Sequence, residues 1–356
     1  MNLRFTAFAG ALLLAATAAA QESDTSAIRQ EMTSIAAELL ASVEGPSPTA
    51  RMLGIDARAK LAFPFDDEQR ENWQYWPTAR IGLPLENMNA AQRRLVHDLL
   101  TSALGSNGYL KVTHIMQLEE ILDVLDEAGL PRSVDHYVLA VFGTPATDAP
   151  WGWRFEGHHV SLNVTVAPDA LTVTPSFLGS NPAEVVSGPL AGFRVHGVVE
   201  DLARELLMSL SDAQRSRAIV ADRPPGEIFT ANINKERSQW DAWRETLEPE
   251  GVPVADLNEV QQHWVRLILD EVIGNYRSTI AEAHLREIDP RDLSFAWMGS
   301  AERRAPHYFR LQGGDFVFEY DNVQNQGNHV HSVWRSPSLD FGRDVLGEHY
   351  RTSHAR

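Results

Sequence analysis

The chain has 356 residues, no cysteine and a formal net charge of −17. Without cysteine there is no disulfide, thiolate ligand or cysteine nucleophile, so any metal must be held by His, Asp, Glu or amide oxygens. The acidic balance argues against a nucleic-acid partner, which needs clustered Lys and Arg to meet phosphates.

Residues 1–20 carry the pattern of a secretory signal. Arg4 supplies the positive region, 8–16 are apolar, and Ala18, Ala19 and Ala20 precede Gln21 as a small-residue cleavage site. The apolar stretch is shorter than the roughly 20 residues of a spanning helix. The expectation is an exported, periplasmic or extracellular protein, with no transmembrane segment after cleavage and 21–356 as a single domain.

Helical spacing of Ile28, Met32, Ile35, Leu39 and Leu40 predicts a helix over 26–43. Residues 59–65 alternate like a strand, and an aromatic turn with Trp73, Tyr75 and Trp76 follows. Asn89 and Gln92 have the spacing of a capping box at the start of a helix over 89–103. A second helix over 109–128 is closed by Gly129 and Pro131. Strands are predicted over 137–142, 153–166 and 171–177, the last two joined by a hairpin turn at 168–170. A helix over 198–210 leads into a capped start at Ser211. The pieces 89–93 and 211–215 look alike, but capping chemistry alone accounts for that. Asp256 is expected to cap the longest helix, 257–287. Strands over 294–298, 308–311, 316–321 and 329–335 follow, with turns at Gly313–Gly314 and at 325–328. The order helices, strands, helices, strands fits an α+β fold with a central, largely antiparallel sheet of hairpins flanked by long helices.

The most specific chemistry lies at His329 and His331. On an extended strand, residues two apart project from one face, so both imidazoles point the same way. A second pair, His158 and His159, sits in the predicted strand 153–166. There, Arg154, Glu156 and His158 are expected to share the side of Val160 and Leu162, with His159, Ser161 and Asn163 opposite. His331, His329 and one or both of His158 and His159 make a thiolate-free metal site if the two strands meet. Glu319 or Asp321 can stand opposite His329 or His331 across a hairpin, and Glu156 can orient His158. Near the C-terminus, a short helix from Gly342, capped by Asp340, would bring in His349 as a further ligand. Trp151, Trp153, Trp73, Tyr75 and Trp76 form either a binding wall or core. Zinc-protease helices, nucleophile elbows and phosphate-cradling glycine loops are absent from the sequence.

The segments 151–163 and 319–335, closed by 340–350, resemble a family of mostly bacterial exported proteins. It is catalogued as a domain of unknown function, number thirty-five-hundred in its series. The resemblance spans nearly the whole chain beyond the signal and implies no particular reaction.

The residues themselves point to an exported metal-dependent hydrolase. His158, His159, His329, His331 and His349 are the candidate ligands of a divalent ion, most simply zinc. Glu156 or Asp321 would be the base and Arg154 or Arg335 the oxyanion partner. The substrate would be a small molecule or saccharide. Copper or iron at the same site would make a redox enzyme, and a groove without turnover would make a metal- or carbohydrate-binding protein.

Overall fold

The computed structural model describes residues 7–43, 56–125, 132–232, 235–343 and 346–347. Thirteen strands form one sheet: β1 (Ala62–Phe63), β2 (Leu83–Pro84), β3 (Val138–Phe142), β4 (Trp151–Gly157), β5 (Val160–Val166), β6 (Leu171–Thr172), β7 (Ser176–Ser180), β8 (Ile219–Ala221), β9 (Val252–Pro253), β10 (Ser294–Gly299), β11 (His307–Gly313), β12 (Phe316–Asn322) and β13 (Val330–Arg335). The order along the sheet is β1-β3-β4-β5-β7-β13-β12-β11-β10-β8. Most pairings are antiparallel, but β1 with β3 and β10 with β8 run parallel, so the sheet is mixed.

That order reads the same from both ends, because the chain builds one unit twice. Leu83–Pro84 lies antiparallel on β3, as Val252–Pro253 lies on β10. Each short strand leads through a single 3-10 turn into a helix, Ala90–Ala103 or Glu259–Ile273. Both helices open with a full capping box, Asn89 with Gln92 and Asn258 with Gln261. The amides of Leu85 and Val254 donate to the carbonyls of Tyr137 and Leu293, at 2.9 and 2.8 Å. Gly143, just past β3, and Gly299, the last residue of β10, both take a positive φ. In the middle β7 and β13 pair antiparallel, as a local two-fold axis between them requires. The resemblance of 89–93 to 211–215 pointed at the wrong partner. The counterpart of the Asn89 cap is Asn258.

Several expected elements change. The stretch 59–65 begins as the helix Ala57–Leu61 before the two-residue β1. The helix expected over 257–287 is two, Glu259–Ile273 and Ser278–Arg286, capped by Asn258 rather than Asp256. The break serves pairing: Gly105 donates to the Asn275 carbonyl at 3.0 Å and Arg277 donates to that of Ala103 at 2.9 Å. The strand 153–166 is the hairpin β4–β5, turned at His158 and His159. Gly129 and Pro131 lie outside the described residues.

The two faces of the sheet differ. On one, Leu139, Val141, Trp151, Trp153, Phe155, Leu162, Phe309 and Trp334 join one large apolar core with the helices. The helix Ala7–Ser42 buries Met32, Ala36 and Leu39 in it, and Gly197–Ser209 buries Ala203, Leu206 and Leu207. Among the described residues no helix is long and apolar enough to cross a membrane. The other face carries Arg154, Glu156, Ser161, Asn163, Tyr308, Arg310, Glu319, Asp321, His331 and Arg335, all buried. Their cover comes from two equivalent connections, 64–82 between β1 and β2, and 222–232 with 235–251 between β8 and β9.

Buried polar groups need partners, and these side chains find them in the cover segments. Glu156 accepts from the Gln74 amide at 2.5 Å and the Ser161 hydroxyl at 3.0 Å. Glu319 accepts from the amides of Phe229 and Thr230, the Thr230 hydroxyl and the Tyr308 hydroxyl, at 2.6–3.0 Å. One internal carboxylate therefore anchors each cover.

Candidate metal centre

Two strand ends and a turn build the site. β13 starts beside the end of β7, with His331 opposite Gly179, and the β4–β5 turn folds over the same corner. His159 holds φ +63° there, its amide donating to the Tyr75 carbonyl and its carbonyl accepting from Gly179, both at 2.8 Å. A side chain at Gly179 would meet the His159 ring at 3.0 Å, so that glycine makes room for the imidazole.

Three imidazoles converge as a result. His329 Nε2 stands 2.7 Å from His159 Nε2 and 3.1 Å from His331 Nε2. His331 Nδ1 lies 2.8 Å from a Glu227 carboxylate oxygen, so that nitrogen carries the proton and its Nε2 presents a lone pair. A nitrogen between two others can donate to only one of them. A cation at about 2 Å from each would serve all three, and would set the nitrogens about 3.3 Å apart. Burial, followed by mutual repulsion with the other rings, holds His159 well below the usual histidine range; burial and then His331 bring His329 to about 2. The His159 and His329 rings are thus neutral, as ligands must be.

His159, His329 and His331 form one group whose ligand atoms lie within 4.8 Å of one another, and Glu119, His158 and His159 form another. These residues could hold a metal. His158 packs against His159 with ring centroids 3.7 Å apart and the planes tilted by 31°. Its Nδ1 meets Glu119 at 2.5 Å and Arg132 at 2.9 Å, and burial lowers its pKa. The carboxylate on His158 is Glu119, not Glu156.

The two-residue turn also reverses the expected faces. Glu156 stands opposite Ser161 and Arg154 opposite Asn163, so these four share the polar side, away from Val160 and Leu162. Asp321 stands directly across from His331. One Asp321 oxygen accepts from the Val323 amide at 3.1 Å while the other is buried without a partner. Burial, then the charge of Glu227, pushes its pKa up to about 8.

The remaining candidates sit apart from the imidazoles. Arg154 donates to the Gln69 carbonyl at 2.7 Å. Arg335 donates to Asp340 at 2.7 Å and the Thr230 carbonyl at 2.8 Å, between the rings of Trp73 and Trp243. Both guanidiniums hold chain segments in place rather than facing the triad. Asp340 lies in the 3-10 turn Asp340–Gly342 and also accepts from the Ser336 amide at 3.0 Å, while most of the helix expected from Gly342 lies outside the described residues. His349 lies outside the described residues. Trp151 and Trp153 are in the main core, and Trp73 and Tyr75 pack with Phe177 and Val333 beneath the cover.

Sequence reasoning missed Glu227 and Glu119, and named Tyr75 only as part of an aromatic binding wall or core. Tyr75 lies 5.0 Å from the His331 ring, centroid to centroid, and burial holds its phenol protonated. Glu227 follows a Pro-Gly loop and Glu119 lies within a helix, so neither has a periodicity that marks it.

A family profile described as "Protein of unknown function (DUF3500)" matches residues 30–343. The chain belongs to this family. No curated protein and no solved structure matches it. The match includes His159, His329, His331 and Glu227, so the whole triad and its orienting carboxylate lie within the part shared with the family.

Proposed function

We propose that the protein is an exported metal-dependent hydrolase. The observation that carries this reading is the convergence of three imidazole Nε2 atoms, one of them oriented by a carboxylate on its other nitrogen. Histidine ligands with such outer partners are the usual construction of protein metal sites. Three protein ligands also leave a coordination position open, which separates catalytic zinc sites from closed structural ones. Zinc in that setting lowers the pKa of a bound water to about 7 and so supplies hydroxide near neutrality. Asp321, buried and protonated at neutral pH across from His331, is the proton-transfer group we assign. The signal-like residues 1–20 support export.

The test is metal content and turnover together. Protein stripped with chelator and reloaded with zinc should hold one ion per chain in the wild type and none after His329→Ala with His331→Ala. Hydrolysis of an activated ester should be lost in the same variant. Glu227→Gln should keep the site but weaken zinc by about 10–100-fold, the usual cost of losing an outer-shell partner. Equal zinc in wild type and double variant would sink the reading.

A further inference from the structure

The two covers differ in length. The first, 64–82, holds one short helical turn, Glu68–Arg70. The second holds the turn Arg237–Gln239 and then the helix Trp243–Thr246 as well. A cavity of about 760 Å³ opens in this longer cover, and most of its wall, from Lys235 to Glu248, belongs to the added piece. The first half closes its side of the sheet with fewer residues, so the fold itself does not call for the extension. The volume falls within the roughly 300–1,000 Å³ of small-molecule sites.

Two aromatic rings in the wall are fixed from below by buried arginines of the sheet. The Arg310 guanidinium lies 5.5 Å from the Phe229 ring centroid and that of Arg335 lies 4.7 Å from Trp243. Phe229 is nonetheless 39% exposed and borders the cavity, whereas Trp243 is buried. The polar part of the wall carries both signs. Lys235 stands against Glu248 and Glu250, and Arg310 beneath them is 3.1 Å from the Glu250 carboxylate. Gln239 accepts from the Glu236 amide at 3.1 Å through its oxygen, which leaves its amide nitrogen as a donor.

This lining selects by chemistry. An anion meets Glu248 and Glu250, and a cation meets Lys235 above two buried guanidiniums. A purely apolar molecule covers those charged groups without pairing them. A neutral ring with one apolar face and several hydroxyls meets none of these objections: the face lies on Phe229, and each hydroxyl can both donate and accept. We propose that the cavity in the second cover binds a neutral saccharide, at a site apart from the histidine triad. The proposal does not depend on the metal reading.

Isothermal titration of the full chain with cellobiose, maltose and chitobiose tests it, with succinate and indole as the charged and apolar comparisons. At least one disaccharide should bind saturably at millimolar concentration or below. Phe229→Ala and, separately, Glu248→Ala should each weaken it by about tenfold, as loss of a ring contact or of a charge-assisted hydrogen bond implies. Both side chains are exposed, so both variants should fold, which circular dichroism checks. In the wild type the bound sugar should also shift the indole N–H resonance of Trp243 and leave that of Trp151, in the main core, in place; this readout needs no variant. Wild-type protein that binds none of the three sugars, that prefers succinate or indole, or whose folded variants bind as tightly as it does overturns the proposal. Chelated protein should bind the sugar unchanged. Binding lost on chelation would put the sugar at the triad and overturn this site, whereas failure to take up zinc with sugar binding intact counts against the hydrolase alone.

Discussion

In the first half of this molecule the turn between β4 and β5 carries His158 and His159; in the second half the equivalent turn between β11 and β12 carries Gly314 and Asp315. Asp315 uses its carboxylate to accept from the amide and hydroxyl of Ser338, both at 2.7 Å, and from the Ser336 hydroxyl. It fastens the chain beyond β13. At the other end of the sheet the same position offers an imidazole to two more from β13. A two-residue turn at this place in the fold therefore asks for polar, turn-compatible residues, and histidines are not among its structural requirements. What distinguishes the halves is chemistry placed on a shared backbone.

The cover segments give the sharpest way to break that comparison. Glu319→Ala removes the acceptor for four donors under the second cover and leaves them buried, and should cost about 3–5 kcal/mol in urea unfolding. Glu156→Ala, which strands the Gln74 amide and Ser161 hydroxyl, should cost less. Equal losses would mean that the two covers are held by something other than these carboxylates.

Acid comes next. His196, buried, and His284, half-buried, are neutral, with pKa values brought down to about 3 and about 4 chiefly by desolvation. An unfolded chain protonates both near 6.5 while the folded state refuses the protons. Their stabilising contribution is therefore complete above about pH 6.5 and lost as pH falls toward the folded values. Lowering pH from 6.5 to 5 should cost about 2 kcal/mol for His196, and His196→Gln should flatten the slope of thermal midpoint against pH.

The smallest effect tests the equivalence itself. Asn89→Ala and Asn258→Ala remove matching caps and should each cost about 1 kcal/mol. A cost at one position only would mean that the matched elements do not carry matched energies.

Much of this arrangement could be read from the sequence. The capping pair Asn89 and Gln92, the Gly313–Gly314 hairpin, the α+β content with a largely antiparallel sheet and the common face of His329 and His331 all follow from local spacing. The turn at His158 and His159 is marked only by a slip in the alternation, which is polar at even positions before it (Arg154, Glu156) and at odd positions after it (Ser161, Asn163). A two-residue turn reverses which parity faces which side, so one unseen turn exchanges both faces of β5. The repeat was equally hidden: Asn89 and Asn258 share a cap, and Val96 matches Val265, but Arg93 and Leu95 correspond to Gln262 and Trp264, which differ in charge and size. Glu227 reaches His331 only through a tertiary crossing of the second cover, which no local pattern encodes.

The junction at β7 and β13 has a further consequence. The start of the first half's second helix, Ser106–Leu125, passes so close to the connection between the second half's helices that a Cβ at Gly108 would lie 1.9 Å from the Asn275 carbonyl oxygen. Neither half is finished without the other: parted there, each would present a naked strand edge and an uncovered helix corner. An edge of that kind invites pairing with a second copy in the antiparallel sense already in use. A fragment ending near Ser180 is thus poised to self-associate, which makes fusion of the two units in one polypeptide the device that keeps this surface occupied.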